Sequence, residues 1–229
     1  DRCVGIDVGI LTYAHDTDGT AVGSLDLEDE RERLKREQRS LSRKQRGSNN
    51  WKEQRQRVAE CHQQIRRKRE DFLHKLSNYY ATEYDLVAVE ELDVKPMLES
   101  AGNSRNTASA AWDTFTTMLE YKCEREGTHF VEVDPAGTTK ECAACGVPTD
   151  KPLWVREHSC PACGFEADRD ANAAINILSR GCEKLGLGQS ERTPVETALP
   201  VGSSPVPAKR VLEAGSPTLK ERPAKAVSE

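Results

Sequence analysis

Bulky residues alternate with small or polar ones along three segments of the 229-residue chain, as they do in β-strands. In VGIDVGI, residues 4–10, the valines and Ile6 share one face, and Gly5, Asp7 and Gly9 share the other, because successive strand side chains point to opposite faces. Residues 3–27 predict two or three strands with a tight turn at DTDGT, residues 16–20. DLVAVEELDV, residues 85–94, and THFVEVDP, residues 128–135, predict one further strand each.

A seven-residue apolar repeat predicts a long amphipathic helix after the first strands. The residues that form its apolar stripe are Val58, Cys61, Ile65, Phe72, Leu76 and Tyr79. Residues 29–80 are therefore predicted to form a helical hairpin, broken at GSNN, residues 47–50.

Two further helices are predicted in the second half of the chain. After a polar loop at residues 99–108, Trp112, Phe115 and Leu119 have helical spacing in a segment that ends at Gly127. A last helix is predicted from about residue 168 to residue 180.

The C-terminal residues 181–229 are rich in Pro, Ser and charged side chains and have no periodicity, which predicts a disordered tail. The order of the preceding elements mixes hairpin strands with strands that are separated by helices. This order predicts an α/β fold with a mixed sheet.

Four of the eight cysteines form two Cys-x-x-Cys pairs separated by fourteen residues, and each pair is followed by a glycine, Gly146 or Gly164. Such turns point backbone N–H groups at the sulfurs of a tetrahedral Zn²⁺ site. Four thiolates leave no open coordination position, so we predict a structural zinc site. Its predicted ligands are Cys142, Cys145, Cys160 and Cys163. His158 is interpreted as a surface residue.

Strand geometry distinguishes the candidate acids among neighbouring carboxylates. Asp7 has only glycines beside it on its face of the first strand, and by itself it also fits a solvated hairpin. Glu90 shares its face with the small Ala88, whereas Glu91 shares its face with bulky valines. We therefore choose Glu90 over Glu91.

A similar comparison applies to the start of the last helix. Asp168 fits an N-cap, whose side chain accepts a hydrogen bond from a helix N–H. Asp170 shares the spacing i, i+4, i+7 with Ala174 and Ile177, so it is predicted to point towards the sheet.

Three converging carboxylates, Asp7, Glu90 and Asp170, would repel one another unless divalent cations neutralised them. Oxygen ligands suit Mg²⁺ or Mn²⁺, and two such ions would activate water and stabilise the leaving oxygen of a phosphodiester. On this hypothesis the glycines beside Asp7 leave room for metal and phosphate.

The formal net charge of −5 argues against a nucleic-acid partner, but its distribution reverses that conclusion. Residues 31–69 contain fifteen Lys or Arg and only four Glu, which fits binding to a polyanion. A solvated helix face is the alternative interpretation. The candidate nucleic-acid-binding residues are Arg43, Lys44, Arg46, Arg66, Arg67, Lys68 and Arg69.

No apolar run approaches the ~20 residues of a membrane span, and no signal peptide is recognisable. A cytoplasmic location without a membrane partner is therefore expected. The chain starts at Asp1 and almost at once enters a strand, which is expected of a fragment or of a chain whose natural N-terminal part is missing.

Four segments in order resemble the TnpB, or OrfB, family of insertion-sequence proteins, which is related to type V CRISPR effector nucleases. They are GIDVGI at residues 5–10, AVEELDVK at 88–95, VDPAGTTKECAACG at 133–146 and CPACGFEADRDANAAINIL at 160–178. The similarity spans roughly residues 3–180 and corresponds to the C-terminal half of the family.

This resemblance implies an RNase H-like (RuvC) nuclease fold with a helical-hairpin insertion and an inserted zinc ribbon. It implies that Asp7, Glu90 and Asp170 are the metal-binding catalytic acids. It also implies a guide RNA from the transposon end and cleavage of matching DNA beside a short transposon-adjacent motif. The expected boundaries are residues 1–137 and 166–180 for the core, 138–165 for the ribbon and 181–229 for the tail.

Two other functions stay open. The chain could be a DNA- or RNA-binding accessory or regulatory protein of a transposon without catalytic activity, or it could be a truncated inactive remnant. The N-terminal portion by which family members bind guide RNA precedes the first nuclease strand, where this chain begins. The intact set of three acids favours the endonuclease.

Overall fold

The computed structural model describes residues 2–93, 111–152 and 154–187. The predicted polar loop at residues 99–108 and almost all of the predicted tail lie outside these residues. The strands of the described part are β1 (Cys3–Val8), β2 (Thr12–Asp16), β3 (Ala21–Gly23), β4 (Leu86–Glu90), β5 (His129–Val133), β6 (Glu157–Ser159) and β7 (Glu166–Asp168). The helices are α1 (Glu28–Ser42), α2 (Asn49–Glu83), α3 (Trp112–Glu126) and α4 (Arg169–Lys184).

Five strands form one mixed sheet in the order β3-β2-β1-β4-β5. β1, β2 and β3 are joined as antiparallel hairpins, whereas β1, β4 and β5 run parallel to one another. The parallel strands are separated in sequence by helices, as parallel pairing requires. The predicted α/β fold with a mixed sheet is confirmed. β6 and β7 form a separate two-stranded sheet within the cysteine-rich segment.

One face of the large sheet packs against α2 and α3. Val4 and Ile6 of β1 and alternate residues of β4 meet Phe72 and Leu76 of α2 and Phe115 of α3 in one buried cluster. Burying each large apolar side chain contributes roughly 1.5–3 kcal/mol. This cluster is the larger part of the core.

The opposite face packs against α4, which is the helix closest to the candidate acids. Leu86, Ala88 and Val131 of the sheet contact Ile177 and Leu178 of this helix. Ala88 and Val87 belong to different clusters because they are consecutive strand residues. The sheet is therefore covered by helices on both faces.

Glycines let α4 lie close to the sheet. A Cβ on Gly5 would lie 2.7 Å from the backbone nitrogen of Leu178, and a Cβ on Gly181 would lie 2.7 Å from the Cβ of Ala88. The hypothesis that Gly5 leaves room for metal and phosphate is therefore wrong, since helix backbone fills that space. At Gly9 a side chain is excluded for a different reason: its Cβ would lie 2.8 Å from the carbonyl oxygen of Thr12, across the turn between β1 and β2.

The predicted helical hairpin is present as α1 and α2, but its break lies at residues 43–48 rather than 47–50. The side chain of Ser48 accepts a hydrogen bond from the backbone N–H of Trp51 and caps α2, so Asn49 and Asn50 belong to the helix. α1 contains no buried residue, which fits its polar composition.

The helix ends follow the sequence signals in part. α3 ends at Gly127, which adopts φ 75° as predicted for a C-terminal glycine. α4 extends to Lys184, so residues 181–184, predicted as the start of the tail, are helical. Gly181 does not end the helix because it packs against Ala88. Among the helices of the described ranges, none is long and apolar enough to cross a lipid bilayer.

Candidate active site and four-cysteine cluster

Asp7 and Glu90 lie near the carboxyl ends of two adjacent parallel strands. Gly5 pairs with Ala88 and Ile6 pairs with Val89, so the continued register sets Asp7 beside Glu90 on the face that α4 covers. Both side chains are 9% exposed, whereas Glu91 is exposed. The predicted orientation of Glu90 and Glu91 is confirmed.

Asp170, in the first turn of α4, lies near Asp7 and Glu90. The side chain of Asp168 accepts hydrogen bonds from the backbone N–H groups of Asp170 and Ala171 and thereby caps the helix, as predicted. Asp170 is 7% exposed, and its turn precedes the part of α4 that lies on Gly5. Three acids that are far apart in sequence thus lie at one edge of the sheet, near enough for their charges to interact.

The three acids repel one another electrostatically. Burial raises the pKa of Asp7 well above its usual value, and the charges of Glu90 and Asp170 raise it further. The guanidinium groups of Arg169 and Arg156 oppose this shift in the pKa of Asp7 without cancelling it. Ionisation of Asp7 is therefore unfavourable in this environment.

Each of the other two acids has a specific partner. The hydroxyl of Thr138 donates to a carboxylate oxygen of Glu90. Burial raises the pKa of Glu90, and the Thr138 hydrogen bond opposes that rise. Asp170 forms ion pairs with Arg156, which precedes β6, and with Arg169, whose Nε lies 3.4 Å from Oδ1.

The carboxylate oxygens of these acids are the type of ligand that Mg²⁺ and Mn²⁺ prefer. Burial raises the pKa of both Asp7 and Glu90, so ionising either carboxyl in this place is unfavourable, and a divalent cation would stabilise the ionised form. A cation bound at Asp170 would compete with Arg156 for the same carboxylate. The chemistry of these donors therefore fits a divalent metal, but their carboxylate oxygens do not all lie within 4.8 Å of one another, so a bound cation would draw the three side chains closer together.

We expect the Asp7→Asn variant to be more stable than the wild type in the absence of divalent cations, by roughly 1 kcal/mol or 2–4 °C in Tm. The folded state holds a proton on Asp7 more tightly than the unfolded state, whose pKa is about 3.9. The free energy of unfolding of the wild type therefore increases as the pH falls through the raised pKa of Asp7. Asp7→Asn has no carboxyl at this position and lacks this pH dependence.

Thermal unfolding of both proteins between neutral pH and about pH 4 measures this difference. Glu91→Gln is the matched control, because it removes an exposed carboxylate and should change stability by no more than about 0.5 kcal/mol. A lower Tm for Asp7→Asn than for wild type at neutral pH would contradict the electrostatic description of the cluster.

The four cysteines form the second candidate site. All four Sγ atoms lie within 4.8 Å of one another. Among the described residues, no other group of three or more His, Cys, Asp or Glu side chains has its ligand atoms this close together. Two of the sulfur–sulfur distances, Cys142 to Cys163 and Cys145 to Cys160, are 3.6 Å. Four sulfurs placed tetrahedrally about 2.3 Å from a central Zn²⁺ lie about 3.8 Å apart, so the cluster fits zinc.

Two similar turns build this cluster. The N–H of Gly146 donates to the carbonyl of Cys142, and the N–H of Gly164 donates to the carbonyl of Cys160. Both glycines have positive φ values, 73° and 76°, a backbone conformation that residues with a side chain rarely adopt. The glycine after each pair thus has the turn-forming role that the sequence predicts.

The two buried thiols of the cluster differ in their surroundings. Hydrogen bonds from the backbone N–H groups of Cys163 and Ala162 lower the pKa of Cys160 to about 6, which favours the thiolate. Burial raises the pKa of Cys142 to about 12, although the N–H groups of Cys145 and Ala144 oppose this rise. A bound cation would supply the charge that stabilises the Cys142 thiolate.

His158 is not a surface residue, so its interpretation from sequence is wrong. It is completely buried, its ring packs near Phe165, and its Nδ1 lies 3.0 Å from the Nζ atom of Lys151. The alternation of β6 explains this burial, because its neighbours Glu157 and Ser159 point outward.

The seven candidate nucleic-acid-binding residues divide into two groups. Arg43, Lys44 and Arg46 lie in the connection between α1 and α2, about 30 Å along α2 from the second group. Arg66 and Arg67 are exposed, whereas Lys68 pairs with Glu30 of α1.

Arg69 is half-buried beside Tyr13, and burial lowers its pKa. Its position at the foot of the hairpin fits a packing role better than a phosphate contact. The structure therefore does not bring the seven predicted residues into one patch.

Sequence reasoning missed the polar partners of the acids. Thr138 and Arg156 lie 48 and 14 residues from the acids they contact, and no local pattern signals either of them. Asn172 and Asn176 are buried in α4, and two amides at i, i+4 spacing in a helix that is otherwise rich in Ala and Ile were the signal that could have found them.

Two family models match the chain. Residues 1–101 match the OrfB_IS605 family, described as a probable transposase, and residues 112–177 match the Cas12f1-like TNB domain. A protein of Streptomyces pristinaespiralis named "Putative RNA-guided DNA endonuclease" is 39% identical over 85% of this chain and 49% of its own length. The chain belongs to the TnpB/OrfB family.

A second member of this family, "Putative RNA-guided DNA endonuclease InsQ" of Escherichia coli K12, is 30% identical over 81% of this chain and 50% of its own length. The chain thus spans about half the length of these curated relatives. A Cas12f1 in complex with guide RNA and target DNA has a similar fold, with a TM-score of 0.54 and 18% identity over 77% of this chain and 49% of the Cas12f1 chain.

Proposed function

We propose that this chain is the nuclease half of an RNA-guided DNA endonuclease encoded by a transposon. The observation that carries the proposal is the position of three buried carboxylates, Asp7, Glu90 and Asp170, at one edge of the sheet, where their charges repel one another. A member of this family that served only as a binding module would have no use for such a costly arrangement.

In this proposal the fold is RNase H-like, of the RuvC type, and residues 138–165 are a zinc ribbon inserted before the last helix of the core. The sheet, α2, α3 and α4 form the core, which extends to Lys184 at the end of α4. Four thiolates in a closed tetrahedral set make the proposed zinc structural, since no coordination position stays open for water.

The chain's own residues would hold and tune the catalytic site. Asp7 and Glu90 present carboxylates from the rigid ends of two strands, and Asp170 adds a third from the first turn of α4. Arg156 and Arg169 neutralise part of their charge before a cation arrives. When bound, two divalent cations would activate water and stabilise the leaving oxygen of a DNA phosphodiester.

The names of the relatives and of the structural neighbour suggest which molecules the full-length protein binds. Relatives are named RNA-guided DNA endonucleases, and the structural neighbour is a complex with guide RNA and target DNA. We therefore propose DNA and a guide RNA from the transposon end as partners of the full-length protein. The experiment is Mg²⁺-dependent cleavage of guide-matched DNA by that protein after substitution of each acid in turn.

The α1–α2 hairpin is proposed to contact the phosphate backbone of nucleic acid. We expect simultaneous reversal of the exposed Arg43, Arg46 and Arg67 to Glu to weaken binding of all nucleic-acid sequences alike. The slope of log Kd against log salt concentration should fall by about one for each phosphate that the variant no longer binds. Fluorescence anisotropy with labelled duplexes at several salt concentrations measures both quantities.

Replacing the same three residues by Lys is the matched control, because the charges stay in place. This variant should keep most of the affinity and the salt slope. An unchanged slope in the Glu variant would mean that the hairpin is merely a solvated face.

A further inference from the structure

Thr138 connects the segment that carries the cysteines to the acid cluster. It follows β5, four residues before Cys142, and only 2% of it is exposed. Its hydroxyl donates to Oε1 of Glu90. The same hydroxyl lies 3.1 Å from the carbonyl of Pro135, so it retains an acceptor if Glu90 is protonated.

Two asparagines fix this loop to α4. The amide Nδ2 of Asn176 lies 2.8 Å from the carbonyl oxygens of both Thr138 and Glu141. Asn172, one turn earlier, donates to the Glu141 carbonyl at 2.7 Å and accepts a hydrogen bond from the N–H of Ala143 at 2.9 Å. Both asparagines are buried, so these bonds are shielded from water.

The contacts form a continuous path from the first cysteine pair to Glu90. Ala143 lies between Cys142 and Cys145, and its N–H is held by Asn172. The loop from Thr138 to Glu141 is held at both ends by the two amides. A glutamate side chain has three rotatable bonds, so a fixed donor at its carboxylate restricts it to one orientation.

We propose that Thr138 is a positioning residue that orients the carboxylate of Glu90, and that Asn172 and Asn176 hold Thr138 in place. The loop that begins the cysteine-rich segment would then also set the geometry of the acid cluster. This inference rests on the proposed role of the acids as ligands of divalent metal. Hydrogen-bonded partners of metal ligands commonly contribute 10–100-fold to metal affinity.

The test is Mn²⁺ binding to the full chain, measured by isothermal titration calorimetry. Thr138→Val keeps the shape of the side chain and removes the donor, so it should weaken Mn²⁺ binding about 10-fold or more. Thr138→Ser keeps the hydroxyl and should restore an affinity close to that of the wild type. Asn176→Ala should weaken binding in the same direction, because it releases the Thr138 carbonyl.

Thr149→Val is the matched control. Its hydroxyl oxygen is buried and has no hydrogen-bond partner in the described part of the chain, although it lies in the same cysteine-rich segment. Removing that hydroxyl should leave Mn²⁺ affinity unchanged. Thermal unfolding of each variant shows whether any decrease in affinity merely reflects unfolding.

A second measurement does not depend on metal. Crystal structures of the metal-free variants should show Glu90 in one orientation in wild type and Thr138→Ser, and in a different or divided orientation in Thr138→Val. Wild-type affinity together with an unmoved Glu90 in Thr138→Val would overturn the inference. If Glu90→Gln bound Mn²⁺ as tightly as the wild type, the metal-binding role of Glu90 would be overturned instead, and the orientation of Glu90 in the crystal structures would then decide the positioning role.

Discussion

Mg²⁺-dependent DNA cleavage by the full-length protein should fall by about 10³-fold or more when any one of Asp7, Glu90 and Asp170 is replaced by Ala. A metal ion supplies several kcal/mol of transition-state stabilisation, and each ~1.4 kcal/mol corresponds to a tenfold change in rate. The three acids are buried together and no nearby carboxylate of the described residues shares their position. A missing ligand therefore has no substitute.

Binding of guide RNA and target DNA should change little in the same variants. Affinity for nucleic acid comes mainly from basic groups and phosphate contacts, whereas the acids repel phosphate in the absence of metal. Gel-shift measurements in the presence of a chelator that spares zinc separate binding from cleavage. Loss of binding together with cleavage would indicate a folding defect rather than a catalytic one.

Glu91→Ala and Asp168→Ser are the matched controls. Glu91 is adjacent to Glu90 but exposed, and Ser at position 168 keeps a side-chain cap for the N–H of Asp170. Both variants should cleave DNA at nearly the wild-type rate. If Glu91→Ala abolished cleavage and Glu90→Ala did not, the assignment of the catalytic glutamate would be wrong by one strand residue.

Periodicity was enough to predict these positions because it reports which residues of an element share a face. The alternation in β4 places Glu90 on the face of Ala88, which α4 covers, whereas Glu91 follows the end of the strand and is exposed. Helical spacing distinguishes Asp170 from the capping Asp168. Both distinctions need only local geometry. The mixed sheet and the helical hairpin were predictable for the same reason.

Contacts between distant segments were not predictable in this way. Gly5 beside Asp7 suggested an open space, but the space is filled by the backbone of α4, which is more than 160 residues later in the chain. Thr138 lies in an irregular loop whose sequence has no periodicity to signal its contact with Glu90. Arg156 meets Asp170 only because β6 and β7 pair before α4 begins.

The cysteine cluster was predictable because its spacing encodes its geometry. Two glycines with positive φ complete two turns that bring four sulfurs within 4.8 Å of one another. The spacing does not show what the cluster contacts, however. Ala143, within the first pair, is hydrogen-bonded to Asn172 of α4, so the fold of the cluster and that of the core are connected.

Replacing Cys142 or Cys160 by Ser should eliminate bound zinc and unfold residues 138–165. Structural zinc contributes roughly 10–16 kcal/mol to the folding of small zinc-binding units, and those residues contain little apolar core of their own. Both cysteines are buried, with 1% and 2% of their surface exposed. We expect close to one zinc per chain in the wild type and almost none in either variant, as measured by elemental analysis.

Hydrogen–deuterium exchange should show reduced protection that spreads from the cysteine-rich segment to the start of α4, because Asn172 no longer holds the N–H of Ala143. Cys61→Ser is the matched control, since it makes the same chemical change at a buried cysteine of α2 outside the cluster. That variant should keep its zinc and the protection of residues 138–165. A wild-type chain that holds the cysteine-rich segment folded without any metal would exclude a zinc ribbon, because four clustered thiols alone provide no comparable stabilisation.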